Sequence, residues 1–131
     1  MEINIFYNSK TKNVYVEPQL ARLGEGEQTI IWTLNQNSVW KWNTGTPEAP
    51  RQPITFMTPV DAGEGYTTWP ADLVPQPLPG NPNAYMVTVN QQGQAQLPNP
   101  AYFKWMFHLI TLDGSVVYDD DPDIGNDPQG G

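Results

Sequence analysis

Asp119, Asp121 and Asp123 occupy alternate positions in the run Asp119-Asp120-Asp121-Pro122-Asp123, the one-three-five spacing of a calcium-binding loop. Hard cations take oxygen ligands, so clustered carboxylates are suitable donors. The rest of such a loop is missing, because Ile124 stands where the turn glycine belongs and Gly130 where the bidentate glutamate belongs. The competing reading is a solvated, charged strand end that resists pairing with another sheet edge. The sequence predicts no metal site, and these three aspartates are its only candidate ligands.

His108 is the single histidine, and cysteine is absent. Nucleophilic catalysis needs a base with a nucleophile and an orienting acid converging on it. No G-x-S-x-G elbow occurs, and His108 falls in the middle of a predicted strand. It reads as a buried or half-buried structural residue, so no catalytic residue is assigned. Zinc and blue-copper sites need several His or Cys ligands. Paired carboxylates could serve glycoside hydrolysis, and the chain has 14 acidic residues, but their order shows no pair facing a cleft. Phosphate-binding loops are absent, and the glycine-rich segments Gly24-Glu25-Gly26-Glu27 and Gly63-Glu64-Gly65 carry the wrong charge to cradle phosphate. No cofactor is predicted.

The aromatic residues are the positive signal. Trp40 and Trp42 flank Lys41, share a strand face by the period-two rule, and are followed by Asn43. Flat rings beside amide hydrogen-bonders suit a sugar face, which makes Trp40, Trp42 and Asn43 the candidate ligand-binding residues. The simpler account puts Trp, Tyr and Phe in the core, where their area dominates burial.

These residues need elements to hold them. Runs rich in β-branched and aromatic residues predict strands over about 2–7, 13–17, 28–34, 39–42, 54–57, 84–89, 102–112 and 115–118. Fourteen prolines and 11 glycines punctuate them. Asp113-Gly114 is the strongest hairpin signal and predicts a type I′ turn. The one expected helical turn is 70–74, started by Pro70. The least regular stretch is 59–83, with a polyproline-like run at 75–79. Within 102–112, Phe103, Trp105, Phe107 and Leu109 share one face. Tyr102, Met106, Ile110 and Leu112 share the other with Lys104 and His108. Short strands without long helices predict an all-β chain, a two-sheet immunoglobulin-like sandwich of about seven to nine strands.

At 131 residues the chain has the length of one domain, 1–131, with about 120–131 forming an acidic, Pro/Gly-rich tail that frays near Gly130-Gly131. Six basic residues face 14 acidic ones for a net charge of −8, and the basic ones are scattered. Nucleic acid and anionic membranes repel such a surface. No apolar run approaches the roughly 20 residues of a membrane span. The start, Met1-Glu2-Ile3-Asn4-Ile5-Phe6, has no signal-like features. The cytoplasm is the expected compartment.

Val14-Tyr15-Val16-Glu17-Pro18 and then Thr29-Ile30-Ile31-Trp32-Thr33-Leu34 resemble the opening of many immunoglobulin-like and cupredoxin-like sandwiches. Copper ligands are missing, so only architecture transfers. Glu17-Pro18 near the start and Asp121-Pro122-Asp123-Ile124-Gly125-Asn126-Asp127-Pro128 at the end resemble the DP-EP family of small bacterial proteins. That resemblance implies a compact β-sandwich with no catalytic residues to carry over. The leading functional expectation is a non-catalytic binding or assembly module acting through protein–protein contact, as a homodimer. A carbohydrate-binding module and a small hydrolase with paired carboxylates are the alternatives.

Overall fold

The computed structural model describes residues 1–24, 27–90, 97 and 101–126. Two packed β-sheets hold the core, as the alternation predicts. The first sheet contains β1 (Glu2–Asn8), β2 (Asn13–Glu17), β4 (Glu27–Leu34), β7 (Gln76–Pro77) and β8 (Ala84–Asn90), in the order β2-β1-β4-β8-β7. Neighbours run antiparallel except β1 and β4, which are parallel.

The second sheet is organised around β9 (Ala101–Thr111). Along one edge of β9 lie β11 (Asp123–Asn126) and then β10 (Val117–Asp120). Along the other lie β6 (Ile54–Phe56) and then β5 (Trp40–Trp42). The last strand, β3 (Leu20–Leu23), pairs in parallel with β11. Phe103, Trp105, Phe107 and Leu109 are each 0% exposed and face the first sheet. The inward face of β9 is therefore the one that its sequence pattern predicts.

The irregular 59–83 stretch closes one side of the core. Trp69 leaves it to stack on Phe56 at 4.1 Å between ring centroids and to meet Phe103 edge-on at 5.2 Å. Its indole N–H donates to Leu73 O at 2.7 Å, so a segment without long strands is still fastened to the interior. The helix of this stretch is α1 (Pro59–Ala62), with Thr58 as its N-cap. Residues 70–74 make only a turn, Leu73 N–H donating to Pro70 O at 3.1 Å. Both prolines fit a first helical position, but only Pro59 follows a capping hydroxyl.

Eleven strands stand among the described residues, against the seven to nine expected. Those overlooked are β3, β7 and β11, of two to four residues each. The expected tail from about 120 is corrected most. Residues 123–126 pair with both β9 and β3, and Ile124 is 0% exposed. The aspartates hid a strand whose one apolar side chain fills the core. The ends of the expected tail, including Gly130-Gly131, lie outside the described residues. Glu17-Pro18, a cis peptide, and Asp121-Pro122 lead into the neighbouring parallel strands β3 and β11.

The hairpin at Asp113-Gly114 exists but is longer than a two-residue turn. Thr111 N–H reaches Val116 O at 2.9 Å, and only Gly114 takes positive φ, at 79°. The side chain of Asp113 organises the loop. Its carboxylate accepts from Ser115 Oγ at 2.6 Å, Ser115 N–H at 2.9 Å and Thr111 Oγ1 at 2.8 Å. The Ser115 hydroxyl leads in holding the Asp113 pKa down at about 2, from 3.8. Because the folded value is depressed, this contribution is present above pH 3.8 and is lost as pH falls through about 2. In a carbon-detected NMR titration, Ser115→Ala should move the Asp113 midpoint up toward 3.8. An unchanged midpoint would mean that the serine hydroxyl does not hold the carboxylate.

Candidate functional site

The outer face of the second sheet carries the polar chemistry. His108 points outward from β9, yet it is only 4% exposed. Register explains what surrounds it. Asp119 on β10 lies directly opposite His108, and Thr55 on β6 pairs with the adjacent outward residue, Met106. The His108 Nδ1 lies 2.6 Å from Asp119 Oδ1, and its Nε2 lies 2.8 Å from Thr55 Oγ1.

Charge and valence set the roles. The Asp119 carboxylate offers only acceptors, so Nδ1 of the imidazole carries the shared proton. In neutral His108 that leaves Nε2 as an acceptor, and the Thr55 hydroxyl donates to it. Thr55 is β-branched and held in a strand, which restricts χ1. Three adjacent strands thus present a hydroxyl, an imidazole and a carboxylate in line.

Backbone geometry next to Thr55 adds a donor. Met57 N–H donates to Lys104 O, and His108 N–H donates to Pro53 O, both at 2.9 Å. Alternation of antiparallel pairs makes Thr55 and Met106 the hydrogen-bonded pair between them. Consequently, the N–H of Phe56 points away from β9. Among the described residues β6 pairs with β9 alone, so this N–H faces an open strand edge. A groove of about 260 Å³ lies there, lined by Thr55, Ile54, Phe56, Trp69, Leu73 and Val74 among others.

A second polar cluster lies further along the same face. Lys104 Nζ meets Asp123 Oδ1 at 3.0 Å, and Tyr66 Oη donates to Asp123 at 3.1 Å. Burial opposes the charge on Lys104, but Asp123 and Tyr66 outweigh it and hold its pKa above the usual 10.5. The arrangement ties the 59–83 stretch to β9 and β11.

Neither protein-family models nor curated proteins match this chain.

The residues expected to bind ligands fare differently. Trp42 is 7% exposed, meets Tyr85 edge-on, and its indole N–H donates to Asn83 O at 2.9 Å. Asn43 is buried, and its carbonyl oxygen accepts from Gly45 N–H at 3.2 Å. Trp40 is half-buried and packs on Tyr118. The pair shares a face as the alternation says, but that face is the core, so Trp40 and Trp42 form no open sugar platform. The three aspartates also separate. Asp119 is engaged with His108 and Asp123 with Lys104, while Asp121 is exposed. No group of three or more His, Cys, Asp or Glu that could hold a metal occurs among the described residues.

His108 is buried, as read from the sequence, but Thr55 was not singled out there. Its only local signal is the outward position in Ile54-Thr55-Phe56. Nothing in that tripeptide says which strand it joins. The exposed large apolar side chains include Val60 on α1, at 92%, and three on one hairpin. Leu112, Val116 and Val117, all on the β9–β10 hairpin, are 54%, 53% and 57% exposed. No helix among the described residues is long and apolar enough to cross a membrane.

Proposed function

We propose that this domain is a protein-binding and assembly module that docks a second copy of itself through the β9–β10 hairpin. The observation that carries the reading is the cluster of Leu112, Val116 and Val117, each more than half exposed on one hairpin. Branched aliphatic side chains exposed on one hairpin are costly to leave in water and favour a partner. Two-fold pairing is the commonest symmetry for soluble homo-oligomers. The tryptophans add little to such a surface, since Trp32, Trp42, Trp69 and Trp105 are buried. An interface anchored on one hairpin falls at the small end, below about 1,200 Å², where association is weak. Family membership in the DP-EP group is part of the same proposal and rests on the two end motifs. The cytoplasm is the proposed compartment, on composition alone.

The net charge of −8 opposes self-association, so added salt should strengthen the dimer by screening. Sedimentation equilibrium across a wide micromolar range should show the weight-average mass rising toward twice the monomer. Val117→Asp should hold the chain monomeric while leaving its circular dichroism unchanged. A monomeric mass for the parent chain at every concentration and salt level would sink the proposal.

A further inference from the structure

We infer that Thr55, His108 and Asp119 form a catalytic triad that hydrolyses carboxylic esters or thioesters of short apolar acyl groups. This goes beyond docking and concerns a different part of the sheet. Two hydrogen bonds, at 2.8 and 2.6 Å, align hydroxyl, imidazole and carboxylate in the order that nucleophilic catalysis uses. A purely structural histidine would also accept such partners. It would not require the open-edge N–H of the next residue, Phe56, or an apolar groove lined by the same Thr55. A nucleophile followed by an N–H able to hold an oxyanion, beside an acyl pocket, is what acyl transfer needs.

The reaction balances with water as the only co-reactant. Thr55 Oγ attacks the carbonyl carbon as its proton passes to His108 Nε2, and the carbonyl oxygen becomes an oxyanion facing the Phe56 N–H. Collapse breaks the bond to the leaving alcohol or thiol, which takes the proton from His108. An acyl ester on Thr55 remains. Water then attacks that ester, giving its proton to His108, and collapse returns a proton to Thr55 and releases the carboxylic acid. Asp119 is a positioning residue, acting through His108 by holding the proton on Nδ1. The groove, at about 260 Å³, is slightly smaller than typical drug-sized pockets of about 300–1,000 Å³, which favours a short acyl chain.

The test uses the whole chain with p-nitrophenyl butyrate as substrate and diisopropyl fluorophosphate as covalent probe. Hydrolysis above the buffer rate is expected, falling by about 10²–10⁴-fold in Thr55→Val and His108→Gln, the span for losing a positioned acid–base group. Thr55→Ser, which restores a hydroxyl, should hydrolyse the ester faster than Thr55→Val. Asp119→Asn should lower kcat with KM unchanged, a split that loss of packing alone would not produce. Intact-mass and peptide analysis of the parent chain should place one phosphoryl adduct on Thr55. That measurement decides the matter even where a variant fails to fold. Absence of both hydrolysis and an adduct, an adduct on a tyrosine or lysine alone, or full activity in folded Thr55→Val would overturn the assignment.

Discussion

Trp105→Ala should lower the free energy of unfolding by about 3–5 kcal/mol, the range for truncating a fully buried tryptophan. Trp105 is 0% exposed at the middle of β9. Its ring lies 6.0 Å from that of Trp32 across the interior and 5.6 Å from that of Phe107. Phe56 stands opposite it on β6. Alanine would remove contacts with both sheets at once and leave a cavity that rigid strands cannot fill. Domains of ordinary stability have only about 5–15 kcal/mol to lose. Trp105→Phe should cost less, because it keeps an aromatic ring and removes an indole N–H that has no hydrogen-bond partner among the described residues. Urea unfolding followed by circular dichroism gives both values. Equal midpoints for Trp105→Ala and the parent would show that the inward face of β9 is wrongly assigned.

Ile124→Ala should cost about 2–5 kcal/mol, the span for truncating a buried aliphatic side chain. It occupies the segment that composition marks as an acidic tail. Ile124 is 0% exposed, and its neighbours in register are Phe103 on β9 and Ala21 on β3. Among the described residues, the strand it belongs to is the only link between β3 and the rest of its sheet. Losing its anchor should therefore loosen β3 as well. Asp121→Ala is the matched control, since Asp121 is exposed and surface changes usually stay within about 0.5 kcal/mol. Hydrogen exchange should show Leu23 and Gly125 amides losing protection together in Ile124→Ala. If Ile124→Ala and Asp121→Ala unfold at the same denaturant concentration, β11 contributes no more than a tail would.

How legible the fold was varied with strand length. The run from Ala101 to Thr111 alternates over eleven residues, enough to reveal which side chains face the core. In contrast, β7 has two residues and β3 four, too few for a period to stand out. In β11 the single apolar residue Ile124 sits among Asp, Gly and Asn, and its partners supply the apolar surroundings that its own segment lacks. The paired tryptophans show a different limit. Their common face was evident, but whether that face met water or Tyr85 depended on where β5 joined β9.

By itself, the sequence determined an all-β chain, the inward face of β9, a turn at Gly114 and a surface of strong negative charge. Those properties are local: alternation, turn chemistry and charge are properties of neighbours in the chain. Only the tertiary structure decided that Thr55, His108 and Asp119 meet, across separations of 53 and 11 residues. Strand neighbours and register follow from the burial summed over both sheets. A shift of one residue would turn every side chain of a strand to the opposite face. No tripeptide carries that sum, so the site became visible only when β6, β9 and β10 were laid side by side.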